Sequence, residues 1–83
     1  MTTTPTIDLA ATGRNINALR IRAGITVRDL QAALGFNTPN AIYKWLSGMC
    51  LPTLDNLVIV AAVLGVRIDD ILILNDQKGR RRA

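Results

Sequence analysis

The sequence predicts an all-α fold, a compact bundle of five short helices, and three observations predict it. Apolar residues recur at three-and-four spacing along most of the chain. Glycines at 24, 35, 48 and 65 each follow one of these periodic segments, where glycine takes the left-handed conformation that stops a helix. Threonines at 12, 26, 38 and 53 stand where the segments begin, and threonine is a preferred helix cap.

The elements follow in order. Residues 1–11 form a partly flexible N-terminal arm in which Met1–Pro5 is polar and frayed, and Thr6–Leu9 runs extended with Ile7 and Leu9 against the body. Thr12 caps a first helix whose inward stripe is Ile16, Leu19 and Ala23, ending at Gly24. Thr26 and Asp29 have the spacing of a capping box, with Asp in place of the usual Glu or Gln, and open a second helix with Val27, Leu30 and Leu34 inward. After Gly35 a third helix begins at Thr38, because Pro39 disfavours helical geometry in the residue before it yet suits the first helical position. Ile42, Trp45 and Leu46 face the core, and Gly48 stops the helix. Pro52 and Thr53 start a fourth helix with Leu54, Leu57, Val58, Ala61 and Leu64 inward, and a short fifth covers Ile68 to Ile73 with Asp69 and Asp70 in its first turn. The folded domain is therefore residues 12–74, followed by a flexible basic tail over 75–83. Two short helices broken by a tight turn between Thr26 and Gly48 are the arrangement by which proteins offer a helix to the major groove of DNA.

Composition narrows the chemistry. At 83 residues there is room for one module, and 49% apolar residues supply one core without staples. Cys50 is the only cysteine and there is no histidine, which excludes a zinc cluster and a histidine-based catalytic set. Ser47 is the only serine and has no base to activate it, so enzyme activity, a metal and a cofactor are not expected. The longest apolar run, Leu57 to Leu64, falls well short of the roughly 20 residues that cross a bilayer, and the start of the chain has no basic, apolar export signal. A cytoplasmic protein without membrane contact is the expectation.

The formal charge of +4 is concentrated at one end. Lys78, Arg80, Arg81 and Arg82 carry four positive charges, while residues 1–77 hold six basic and six acidic groups. Within that neutral body Arg14, Arg20, Arg22, Arg28 and Lys44 come early and Asp55, Asp69 and Asp70 late, a pattern that suits a basic face opposite an acidic one. The tail reads either as a solvated end or as a phosphate-seeking arm.

The segments G-I-T-x-x-D-L, I-Y-K-W, S-G-x-x-x-P-T-L-D-N-L and A-x-x-L-G-V-x-I-D-D-I-L together resemble the phage-repressor and Cro helix-turn-helix family, also called XRE, over Gly13 to Leu72. The resemblance implies a lambda-repressor-like DNA-binding domain, bacterial or phage-encoded, whose third helix lies in the major groove. Carried over by position, its base-facing residues are Pro39, Asn40, Tyr43 and Lys44. Helix geometry agrees for three of them: with Ile42 and Trp45 inward, Asn40, Tyr43 and Lys44 point out. Asn40 can pair bidentately with adenine, Lys44 can reach guanine or a phosphate, and Tyr43 a phosphate or a thymine methyl. Thr38 is a cap that also contacts the DNA backbone.

Four positions depart from the family pattern. Val27 stands where the family has a phosphate-contacting glutamine, and Arg28 beside it can take over, or else be an ordinary surface charge paired with Asp29 or solvent. Gln31 replaces the small alanine at the crossing of the two reading helices, where a turn one residue longer than usual leaves room for it. Leu46 replaces a glutamate that pairs with the arginine at position 20, which frees Arg20 for phosphate or solvent. The loop Gly48–Leu51 lacks basic residues, leaving backbone N–H groups near Gly48 as its phosphate donors. Further phosphate contacts are expected from Lys78, Arg80, Arg81 and Arg82.

The leading function is sequence-specific regulation of transcription, as a repressor acting as a homodimer on a double-stranded operator. The alternative is a protein-interaction module, such as an antitoxin or accessory subunit that binds a protein partner with the same bundle. Ile59 and Ala62 on the fourth helix, extended by Ile73 and Leu74, are the candidate dimer surface, because a helix apolar on every side is buried twice or meets a partner.

Overall fold

A carboxylate opens the first helix. Asp8 Oδ1 accepts the Ala11 N–H at 2.9 Å, and α1 runs Leu9–Ala23 in the computed structural model, which describes residues 5–75. The expected start at Thr12 is therefore corrected, and residues 9–11 belong to the helix and not to an arm. Asp caps as well as Thr does, and Ala10 and Ala11 are strong helix formers. Thr12 is fully buried inside α1 instead, where its hydroxyl accepts the Ile73 N–H at 3.0 Å. Ala23, expected inward, is exposed.

That hydroxyl explains a second correction. The last helix, α5, covers Ile68–Ile71 and stops short of Ile73, because the chain beyond it is drawn out along the N-terminal segment. Asp8 N–H donates to Ile73 O and Asn75 N–H to Thr6 O, each at 2.7 Å, and Ile7 pairs with Leu74 in an antiparallel bridge. Asn15, on α1, fixes α5 itself by donating to the carbonyls of Asp70 at 2.7 Å and Ile71 at 2.9 Å.

The middle elements follow their local signals. In α2 (Val27–Leu34) the capping box is complete: Thr26 Oγ1 accepts the Asp29 N–H at 3.0 Å, and Asp29 accepts the Thr26 N–H at 2.9 Å. Bonding from Thr26, first through its N–H and then through its hydroxyl, outweighs slight desolvation and holds the Asp29 carboxyl below its ordinary value. A carboxyl held down in the folded state stabilises the fold above its unfolded value of about 4, and that contribution is lost as pH falls through the folded value. The stability gap between wild type and Asp29→Ala, measured by urea unfolding, is therefore expected to be constant from pH 7 to about 5 and to narrow below pH 4. A gap that widens in acid would contradict this.

The helix α3 (Asn40–Leu46) begins one residue later than Pro39 at its first position would give. Pro39 is the cap, its carbonyl accepting the Tyr43 N–H at 3.1 Å, while the Thr38 hydroxyl accepts the Asn40 N–H at a long 3.4 Å. Thr53 caps α4 (Leu54–Leu64), accepting the Asn56 N–H at 3.2 Å.

One core joins all five helices. It takes Ile16 and Leu19 from α1, Leu30 from α2, Ile42 and Trp45 from α3, Leu57, Val60, Ala61 and Leu64 from α4, and Ile71 from α5. Val27, Leu34 and Leu46 are half-buried against it. Phe36, in the turn between α2 and α3, meets Trp45 edge to face at 5.9 Å. The inward stripe expected of α4 is corrected: Leu54 is 71% and Val58 52% exposed, and Val60 lies inside. Because α4 is apolar nearly all round, its periodicity alone does not say which side is covered. No described helix is long and apolar enough to cross a membrane.

Candidate nucleic-acid interface

The turn from Gly35 to Pro39 sets α3 across α2. Gln31 is half-buried there and binds the turn twice, its backbone carbonyl accepting the Phe36 N–H at 3.0 Å and its side-chain amide donating to Phe36 O at 3.3 Å. The long side chain therefore folds onto the longer turn. With Ile42 and Trp45 in the core, Asn40, Tyr43, Lys44 and Ser47 are all exposed on the opposite face of α3 and its C-terminal cap. Thr38 is exposed beside them and Pro39 is half-buried. Arg28 is exposed at the start of α2 and makes no ion pair with Asp29, whose carboxylate serves the capping box.

Two glycines hold α3 against α1. A Cβ on Gly13 would overlap the carbonyl oxygen of Trp45 and stand 2.7 Å from that of Leu46. The helices touch backbone to backbone at this point. Gly48, just past the end of α3, has φ +82° and lies so close to α1 that a Cβ would come within 2.7 Å of Ala10 Cα. Both its conformation and its surroundings require glycine.

Two expected phosphate donors are already engaged. Arg20 is not freed by Leu46: its Nε and Nη2 donate to Asn17 Oδ1 at 3.1 and 2.7 Å, and its Nη1 donates to Ile25 O at 2.9 Å. It ties the end of α1 to the segment before α2. The Gly48 N–H donates to Trp45 O at 3.1 Å and the Met49 N–H to Lys44 O at 2.9 Å, so the loop after α3 spends these donors on closing the helix. Lys78, Arg80, Arg81 and Arg82 lie outside the described residues. Sequence reasoning passed over Gly13, Asn15 and Asn17. A glycine inside a helical pattern and an Asn three residues before Arg20 were the available signals for the first and last of these.

On the proposed dimer surface, Ala62, Ile73 and Leu74 are exposed, but Ile59 is half-buried. The open apolar stripe of α4 is Leu54, Val58 and Ala62, one residue per turn.

A helical bundle whose second and third helices meet through a tight turn, with the third exposed along one side, is a helix-turn-helix domain, a DNA-binding arrangement. A family model described as helix-turn-helix matches residues 16–71. The chain belongs to this family, in its XRE-type form. Among solved structures it is similar to the restriction-modification controller protein C.AhdI from Aeromonas hydrophila, with a TM-score of 0.69 at 20% identity over 77% of this chain and 96% of that one. It is also similar to the clp gene regulator ClgR from C. glutamicum, with a TM-score of 0.67 at 23% identity over 80% of this chain and 84% of that one. These likenesses establish the shared fold. No curated protein gives a significant sequence match.

Proposed function

We propose that the protein is a sequence-specific, double-stranded-DNA-binding transcriptional regulator that acts as a repressor and reads the major groove with α3. The observation that carries this is the exposed row Asn40, Tyr43, Lys44 and Ser47 opposite a buried Ile42 and Trp45, in a chain of the helix-turn-helix family. Asn40 reads adenine through its amide, Lys44 takes guanine or a phosphate, and Tyr43 a phosphate or thymine methyl. Thr38 and Arg28 hold the DNA backbone. The two similar structures are described as a controller protein and a gene regulator, which supports a regulatory role. Repression is the simplest such role, because occupancy of a site that overlaps a promoter suffices. Such action takes place in the cytoplasm.

The direct test is selection from random-sequence duplexes, sequencing those retained. Enrichment of a motif is expected. Retention without a motif would favour the protein-interaction reading, to which the exposed Leu54 and Val58 lend weight.

We further propose homodimerisation, since pairing about a two-fold axis places two α3 helices about one DNA turn apart. The exposures move the candidate surface from Ile59 to Leu54, Val58 and Ala62, with Ile73 and Leu74 as the second patch. Sedimentation equilibrium at micromolar concentration, with and without the enriched duplex, is expected to show a dimer for wild type and a folded monomer for Val58→Asp. A wild type that stays monomeric even on DNA would remove the proposal.

A further inference from the structure

We propose that Arg14 is a DNA phosphate contact made from α1, beside the C-terminal end of α3, an inference that rests on α3 entering the major groove. Its placement follows from the two glycine contacts. Gly13 meets the carbonyls of Trp45 and Leu46, and Ala10 meets Gly48, so α1 lies along the last turn of α3 and the loop after it. Going round α1 from the buried Ile16, steps of about 60°, 60° and 40° lead to Gly13, Ala10 and Arg14. Arg14 therefore overhangs the solvent side of the seam at which α3 ends.

This flank has few other donors. The loop Gly48–Leu51 carries no basic side chain, and its Gly48 and Met49 N–H groups are bonded internally. Arg20, six residues further along α1, is held by Asn17 and Ile25, whereas the Arg14 side chain is exposed and makes no hydrogen bond or ion pair among the described residues. A guanidinium carries the planar fork that matches phosphate oxygens. Position and availability thus coincide in one residue where the loop itself offers no cation.

Arg22 supplies the control. It stands seven residues after Asn15, which puts it on the side of α1 that faces α5 and away from α3. Binding of a fixed random-sequence duplex of about three helical turns, and of a selected one, is measured across salt concentrations for wild type, Arg14→Ala, Arg14→Lys and Arg22→Ala. Arg14→Ala is expected to weaken both duplexes by a common factor and to lower the log–log salt slope by about 0.9, with an unchanged melting temperature. Arg14→Lys is expected to keep most of the slope, and Arg22→Ala all of it. An equal loss in Arg22→Ala would show a mere net-charge effect and overturn the assignment. So would an unchanged slope in Arg14→Ala while wild type binds, or a loss confined to the selected duplex. A wild type that binds no duplex would overturn this inference together with the reading beneath it.

Discussion

Gly13→Ala is expected to destabilise the domain by about 2 kcal/mol or more and to weaken DNA binding strongly at the temperature where wild type binds. Two effects compete. Alanine in place of a mid-helix glycine favours the helix by about 1 kcal/mol. Against that, the new methyl would overlap the Trp45 carbonyl and crowd that of Leu46, and these are backbone atoms that cannot rotate away. Overpacking of this kind costs typically 1–3 kcal/mol, and a rigid neighbour places the cost at the upper end of that range or above it. The overlap wins. For a domain of this size the loss is a large part of a total stability of roughly 4–12 kcal/mol. Unfolding followed by the fluorescence of Trp45, the only tryptophan, measures it directly. A Gly13→Ala protein as stable as wild type would show that α1 and α3 do not meet as closely as described. The functional consequence runs through position, because relieving the overlap lifts the end of α3 from the bundle and re-aims Tyr43, Lys44 and Ser47.

Asn40→Ala has the largest expected effect on reading, as distinct from folding. The side chain is exposed and makes no hydrogen bond within the described residues, so its loss leaves the bundle intact. If the amide pairs with adenine N6 and N7, discrimination between the selected site and an unrelated duplex falls by about 1–3 kcal/mol, with little loss on the unrelated one. Competition binding at fixed salt gives both numbers, and circular dichroism confirms that the variant is folded. Equal weakening on every sequence would mean that Asn40 faces the phosphate backbone and that the register of α3 in the groove is different.

Much of the bundle was legible because its signals are local. Thr26 and Asp29 form their box within a single turn, and the glycines at 24, 35 and 65 stop α1, α2 and α4 with φ of 74°, 72° and 72°. The errors arose where the deciding partner is distant in sequence. Thr12 looked like a cap because nothing near it reveals Ile73, 61 residues away, whose N–H its hydroxyl accepts. The same bond ended α5 earlier than its apolar run suggested. Leu54 and Val58 fit an inward stripe as well as Val60 does, and only the placement of α2 and α5 on α4 decides between them. On the interface, the 3.6-residue period with Ile42 and Trp45 inward is enough to put Asn40, Tyr43 and Lys44 on the exposed side. The state of Arg20 did not follow from a missing glutamate, because Asn17 and the Ile25 carbonyl take that partner's place.

The claim that α3 is the DNA-reading surface is tested most directly by a residue-resolved map of amide shifts in the ¹⁵N-labelled protein on addition of the selected duplex. The expected map has its largest changes at Thr38 through Ser47, with smaller ones around Arg28 and Arg14, and leaves Leu54, Val58 and Ala62 unchanged when a dimeric wild type is titrated. A map centred on the α4 stripe, with Asn40, Tyr43 and Lys44 unmoved, would contradict it.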